Sequence, residues 1–214
     1  MSSSTSVHQL FGLPPTSPAL SDFLSSLDNG KLLPDPDVKS YPDAVYFNYY
    51  SLGISFLYAP GKGYKPKTGV KYGELSLDNL ALDSLDVYNT PESKDATKSA
   101  SSRSEAAFVA FPVPLVLNLA PNVKDKDGNV LTRPSTITLS EDMTGKDFVQ
   151  AMGEPDRKGG GAGPSSGSIG IWCEWSGDGI MVEFGGDASR GPNAWERGKD
   201  APWRVATIFA PKQA

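Results

Sequence analysis

Tryptophan, arginine and glutamate side chains concentrate near the C-terminus of this chain of 214 residues. All four tryptophans lie between positions 172 and 203. Tryptophan and arginine are enriched at protein interfaces, because an indole buries a large rigid area and a guanidinium makes several directed hydrogen bonds. The binding residues predicted from this concentration are Trp172, Glu174, Glu183, Arg190, Trp195, Arg197 and Trp203.

The segment 185–202 is the most unusual loop of the chain, because it is longer than a connection between two strands requires. It places Arg190, Trp195 and Arg197 within a few residues of one another. Long loops of this kind often carry function. Two interpretations stay open: Trp195 is exposed for a partner, or it closes the edge of the core while Arg197 pairs with an acidic neighbour.

The stretch 169–175 alternates in a way typical of a β-strand, so Trp172 and Trp175 point to opposite faces of the sheet. One interpretation joins Trp172 with Trp195 and Trp203 on an open concave face. The other buries Trp175 in the core and lets Trp172 cover the back of the sheet.

Two carboxylates, Glu174 and Glu183, lie on strands that pair across a turn at 177–179. On a solvent-facing surface they are ordinary polar residues. If tryptophans enclose them, they resemble the acid/base pair of a glycosidase, and a flat indole is a common sugar-stacking surface. The sequence therefore keeps open a carbohydrate-binding or carbohydrate-active protein as the alternative to protein recognition.

The chain has one cysteine and one histidine, which excludes a disulfide framework and metal sites built from several Cys or His ligands. Cys173 alternates with apolar residues and is predicted to be a buried, unreactive thiol. His8 falls in a predicted disordered end, which argues against a catalytic triad. We predict no catalytic residue, no metal and no cofactor.

The formal net charge of −5 argues against a nucleic-acid partner. No apolar run reaches the roughly 18 residues of a membrane helix, so no membrane partner is predicted. The first seven residues lack the basic and apolar regions of a secretory signal. These features favour a soluble, cytoplasmic protein.

Two similar series of elements follow one another along the chain. In the first half a helix, a hairpin and a third strand are predicted at 18–27, 43–58 and 80–88. In the second half a helix and three strands are predicted at 144–153, 169–175, 180–184 and 203–209. Aligning Gly53 with Gly179 sets a spacing of 126 residues, which also aligns aromatic residues of the two hairpins. This pattern predicts an internal duplication.

The predicted fold class is α+β, an antiparallel sheet with short helices on one face, built from a duplicated helix–β-hairpin–strand unit. The divisions are a disordered N-terminus at 1–9, a first unit at 10–89, a flexible connection at 90–105, an additional β segment at 106–140 and a second unit at 141–214. Because one three-stranded unit is marginally stable, we expect both units to form one compact domain.

Three short motifs carry a family resemblance: Thr144-Gly145-Lys146-Asp147-Phe148-Val149, Met152-Gly153-Glu154-Pro155 and Ile171-Trp172-Cys173-Glu174-Trp175. The order of helix, loop, aromatic strand, turn and strand resembles the tandem unit of the β-lactamase-inhibitor-protein-like fold and of small outer-membrane lipoproteins. The chain departs from that pattern in lacking a cysteine pair and in having a large insertion between the units. The resemblance implies a binding or scaffolding role without catalysis.

Taken together, the residues and the resemblance predict a non-catalytic binding or scaffold protein. Its partner is expected to be a protein, recognised through the Trp/Arg-rich C-terminal face. The alternative is recognition of a carbohydrate by the tryptophans and carboxylates of the second unit.

Overall fold

A computed structural model describes residues 6–27, 33–90, 108–125, 127–161 and 170–212. The helices are α1 (Pro18–Leu27), α2 (Gly145–Met152) and α3 (Ala194–Arg197). The strands are β1 (Asp37–Tyr41), β2 (Ala44–Tyr49), β3 (Ile54–Pro60), β4 (Leu80–Tyr88), β5 (Leu115–Asn118), β6 (Thr136–Leu139), β7 (Arg157–Gly159), β8 (Trp172–Trp175), β9 (Ile180–Phe184) and β10 (Trp203–Phe209). Short 3₁₀ turns occupy Val7–Leu10, Tyr50–Leu52, Tyr72–Glu74, Leu77–Asn79, Asp187–Ser189 and Gly198–Asp200.

Eight of these strands form a single sheet in the order β1-β2-β3-β4-β10-β9-β8-β7. Every neighbouring pair is antiparallel. Each half of the sheet is a four-stranded meander that runs from an outer edge to the centre, and β4 and β10 join the two halves. The strand order is therefore the same in both halves, as the predicted pair of units requires.

The pairing register is also the same in both halves. Tyr49 pairs with Ile54 across the first hairpin, and Trp175 pairs with Ile180 at the corresponding place 126 residues later. At the centre, Asp86 pairs with Thr207, and the ladder is symmetric about this pair. The origin of this symmetry in a duplicated sequence stays a prediction, which the shared register supports.

One face of the sheet carries the hydrophobic core, because alternate residues of the central strands on that face are apolar and buried. Both longer helices pack on this face. The Phe23 ring of α1 meets Phe56 edge-on at 6.4 Å, and the Phe148 ring of α2 lies 6.2 Å from Trp175 and 6.0 Å from Phe184. The α+β class, with short helices on one face of an antiparallel sheet, is confirmed.

Neither edge strand of the large sheet is among the strands predicted from the sequence. β1 lies in a Pro/Asp-rich stretch, and β7 lies between Pro155 and a glycine-rich stretch. Both are short and polar, with burial patterns that show no continuous apolar face. Edge strands pair through one side only and need little buried surface, so they leave a weak pattern in the sequence.

The N-terminus is ordered from Ser6 onward, which corrects the predicted disorder of residues 1–9; residues 1–5 lie outside the described ranges. Val7 and Leu10 are buried on one 3₁₀ turn. His8 contacts the Asp178 backbone oxygen at 3.2 Å through its Nε2 atom. The two apolar residues explain the order, since they bury surface that a purely polar end could not.

The segment between the two halves adds a second, two-stranded sheet in which β5 pairs with β6. In this sheet Ile137 pairs with Leu117. The predicted flexible connection at 90–105 lies, apart from its first residue, outside the described residues.

Candidate functional site

The face of the large sheet opposite the helices is the candidate binding surface, and we call it the open face. One row of side chains crosses all eight strands on this face; its members, in order, are Asp37, Asn48, Ser55, Asp86, Thr207, Met181, Glu174 and Arg157. We call it the central row. Seven of its eight members are polar, so this face presents hydrogen-bonding groups where the other face presents the core.

Hydrogen bonds between neighbours hold the central row together. The Asn48 amide donates to the backbone oxygen of Asp37 at 3.1 Å, and the Ser55 hydroxyl donates to the Asn48 side-chain oxygen at 2.8 Å. At the centre, the Thr207 hydroxyl donates to Asp86 at 2.7 Å. Asn48 and Ser55 are buried but satisfied, and the row is therefore a rigid polar floor.

A pocket of about 480 Å³ opens over this floor in the first half of the sheet, and we call it pocket 1. Its lining residues are Lys39, Tyr41, Asp43, Ala44, Tyr46, Asn48, Ser55, Asp86, Tyr88 and Phe108. Four of the ten are aromatic. The Tyr41 and Tyr46 rings meet edge-on at 6.2 Å, and Tyr88 and Phe108 stack with centroids 3.9 Å apart.

The pocket combines these rings with negative charge. Burial raises the pKa of the Tyr46 hydroxyl, and the nearby charges of Asp86, Tyr41 and Asp43 raise it further. Lys39 is the one basic residue of the pocket wall. An aromatic wall with two carboxylates suits a ligand that offers both a flat apolar surface and positive charge.

A second pocket, of about 360 Å³, lies in the other half of the sheet, and we call it pocket 2. Its lining residues are Asp83, Ser84, Glu174, Met181, Thr207, Phe209, Ala210 and Lys212. It corresponds to pocket 1 in the register of the sheet: the pair Glu174–Met181 occupies the place that the pair Asn48–Ser55 occupies in the first half. The two pockets therefore flank the central Asp86–Thr207 pair.

Three of the residues predicted as a site, Trp172, Glu174 and Glu183, lie on the open face. Trp172 is half-buried, and its ring lies against Gly159, where a side-chain carbon would come within 2.7 Å of it. The guanidinium carbon of Arg157 lies 5.9 Å from the ring centre. Trp172 thus covers part of the open face, while Trp175, at 3% exposure, lies in the core on the other face.

The two predicted carboxylates are engaged with separate cations. Glu174 accepts hydrogen bonds from Arg157 at 3.0 Å, from Ser176 at 2.7 Å and from Lys212 at 3.4 Å. Burial opposes its ionisation, but these hydrogen bonds and the two positive charges outweigh burial and lower its pKa. Glu183 forms its own ion pair with Arg204 at 2.7 Å. They do not form a coupled acid/base pair.

The remaining predicted tryptophans lie elsewhere. Trp203 is 1% exposed and donates its indole N–H to the Ser140 backbone oxygen at 2.8 Å, so the prediction that it belongs to a binding face is wrong. Trp195 is 41% exposed on α3, with the Lys158 ammonium 5.5 Å from its ring centre. Since Lys158 and Arg157 are successive residues of β7, they point to opposite faces of the sheet.

It follows that Trp172 and Trp195 do not share a surface. Trp195, Arg190 and Arg197 form a separate corner on the helix side, where Arg197 donates to the Arg190 backbone oxygen at 3.0 Å. The interpretation that joined Trp172, Trp195 and Trp203 on one concave face is therefore wrong.

Cysteine and histidine chemistry is also restricted by the structure. Cys173 is buried as predicted, and burial raises its pKa to about 11, which keeps the thiol protonated at neutral pH. Within the described ranges, no three His, Cys, Asp or Glu side chains gather as metal ligands would. None of the helices in those ranges is long and apolar enough to span a membrane.

Sequence reasoning missed pocket 1 because its wall comes from four strands, from Asp43 in the turn between β1 and β2, and from Phe108. A signal was present in β2, where Tyr46 and Asn48 alternate with the buried Val45 and Phe47.

Comparison of the chain with family models, curated proteins and solved structures finds no match.

Proposed function

We propose that the protein is a non-catalytic binding module that recognises a protein partner through the open face of its sheet. The observation that carries the proposal is the arrangement of two pockets along one polar row on this face, one on each side of its central Asp86–Thr207 pair. The proposal keeps the predicted class of partner and moves the centre of recognition from the C-terminal loop to the sheet.

The size of the face suits a protein partner. Eight strands at a spacing of about 4.8 Å, with an average length of about five to six residues, present a surface of roughly 34 by 18 Å. Its area of about 600 Å² is close to the roughly 800 Å² that each partner of a stable complex contributes. The aromatic residues Tyr41, Tyr46 and Trp172 lie towards its two ends, and such residues carry most of the binding energy at interfaces.

The charges of the face support a role without catalysis. A general acid at neutral pH needs a raised carboxyl pKa, whereas that of Glu174 is lowered. A nucleophilic cysteine needs a lowered thiol pKa, whereas that of Cys173 is raised to about 11. The buried thiol is also compatible with a reducing compartment, so a cytoplasmic location stays part of the proposal.

A light-activated cross-linker tests the proposal. Benzoylphenylalanine replaces Tyr41 on the open face or, as a matched control, Tyr72. Both tyrosines are 44% exposed, but the Tyr72 ring packs 5.3 Å from the core residue Phe47, so it belongs to the other side of the sheet. In native extract we expect a discrete protein adduct from position 41 and none from position 72. Equal adducts, or an adduct only from the control position, would contradict the proposal.

Carbohydrate binding is the second candidate, because pocket 1 combines tyrosine rings with the polar floor of Asn48 and Ser55. The form of this hypothesis that is built on tryptophans around a carboxylate pair loses its geometry, because Trp195 and Trp203 lie away from the open face. Glu174 and Glu183 also pair with separate cations. A glycan array probes the candidate directly. Binding that is lost in Tyr46→Ala but kept in Tyr72→Ala would favour it over a protein partner.

A further inference from the structure

Pocket 1 has the composition of a site for one flat, positively charged group. Two of its aromatic residues, Tyr41 and Tyr46, belong to the edge strand β1 and its neighbour β2, while Tyr88 and Phe108 stack against each other on the central side. Aromatic faces attract cations, and guanidinium groups also stack on them. Charge and ring geometry are thus combined in one pocket.

Two carboxylates, Asp43 and Asp86, line the same pocket. The Thr207 hydroxyl donates a hydrogen bond to Asp86 and orients that carboxylate from the neighbouring strand β10. Lys39 is the one cation of the wall, so the wall charge is negative, as is the net charge of −5 of the chain. The pocket is electrostatically complementary to a basic partner.

We infer that pocket 1 binds an arginine side chain presented by a basic segment of the partner protein. The guanidinium lies against the tyrosine rings and donates hydrogen bonds to Asp86 and Asp43. Arginine fits better than lysine because its planar group stacks and forms two parallel hydrogen bonds with a carboxylate, while an ammonium does neither. This inference rests on the proposed function, since it names the side chain that the open face recognises.

The probe is the peptide acetyl-Gly-Arg-Gly-amide, titrated into the full chain and followed by NMR chemical shifts of the protein. The matched probe carries citrulline, which has nearly the shape of arginine without the charge. We expect the citrulline peptide to bind at least about tenfold more weakly, because charge-assisted hydrogen bonds are about twice as strong as neutral ones. Equal affinity of the two peptides would overturn the inference.

Three variants locate the site. Asp86→Asn should weaken arginine binding by about fivefold or more, and Lys39→Gln should strengthen it, because each changes the charge of the pocket wall. Asp22→Asn removes the same charge as Asp86→Asn, but from an exposed position on α1, and should leave the affinity unchanged. A loss shared by Asp22→Asn would mean general attraction to an acidic protein, and would overturn the pocket assignment.

The chain itself offers a competing occupant, because the segment 91–107 precedes Phe108 and carries one arginine, Arg103. If the peptide binds only to the Arg103→Ser variant, the pocket serves the chain's own arginine and the inference for a partner is overturned. The cross-linking experiment at Tyr41 is independent of these titrations. An adduct at position 41 without arginine binding would overturn this inference and leave the proposed function standing.

Discussion

A buried ion pair between Arg133 and Asp178 joins the inserted β segment to the second half of the sheet, and its removal should be costly. Arg133 donates from Nη1 to Asp178 at 2.6 Å and from Nη2 at 2.8 Å, a two-pronged geometry. The two side chains are only 6% and 2% exposed. Ala120 contributes a backbone N–H to the same carboxylate at 2.8 Å, so the group is fully engaged.

Asp178→Asn keeps the shape of the side chain and removes its charge, which leaves the Arg133 guanidinium buried without a counter-ion. Breaking a buried pair in this way costs about 3–5 kcal/mol. With a urea dependence of about 2 kcal/mol per molar, that loss lowers the unfolding midpoint by about 1.5–2.5 M. Stabilities of about 5–15 kcal/mol are typical of folded domains, so the change removes a large share.

Urea unfolding followed by tryptophan fluorescence measures this loss, because Trp175 and Trp203 are buried in the same half of the molecule. The matched control is Glu183→Gln, which breaks an ion pair of similar length, 2.7 Å, whose side chains are 33% and 17% exposed. Water reaches this pair more than it reaches Arg133 and Asp178, and solvent screening weakens an ion pair, so the control should shift the midpoint by clearly less than Asp178→Asn does. Equal shifts in the two variants would refute the reasoning.

Three further predictions concern stability. Gly179→Ala should cost about 1 kcal/mol or more, because its φ of +68° is left-handed and a Cβ would collide with the Phe209 backbone oxygen; an unchanged denaturant midpoint would contradict this. Trp203→Ala should cost about 3–5 kcal/mol and Trp195→Ala little, because their exposures are 1% and 41%; equal losses of melting temperature would refute the assignment. The folded-state pKa of Glu174 is lowered, so its stabilising contribution is complete above the ordinary pKa of a glutamate, 4.5, and disappears as pH falls through the lowered value. The stability difference between wild type and Glu174→Gln should therefore vanish at low pH, and a difference that persists there would count against the ion pairs.

The elements that the sequence predicted well are those with a strong local pattern. The hairpin strands are rich in β-branched and aromatic residues, and both hairpins close at a glycine with positive φ, Gly53 and Gly179. The two hairpins share one pairing register, offset by the 126 residues that separate these glycines. Such signals are local, so one sequence is enough to detect them.

What could not be predicted depends on contacts between distant parts of the chain. Trp195 and Trp203 are close in sequence, yet one is exposed and the other is core, because the chain turns through α3 between them. Lys39 and Asp86 are far apart in the sequence, and β2 and β3 lie between their strands in the sheet. They line one pocket because strand pairing brings β1 to β4 side by side. Composition alone therefore pointed to the C-terminal loop, whereas the pairing of strands assembles the pockets on the sheet.

The most direct test of the central claim is the affinity of the cross-linked partner for three forms of the protein: wild type, Tyr46→Ala and Tyr72→Ala. A tyrosine that acts as a binding hot spot contributes about 2 kcal/mol or more. Recognition through the open face predicts that Tyr46→Ala weakens binding by about 30-fold, while Tyr72→Ala leaves it unchanged. Unchanged binding by Tyr46→Ala, with loss in Tyr72→Ala, would contradict recognition through the open face.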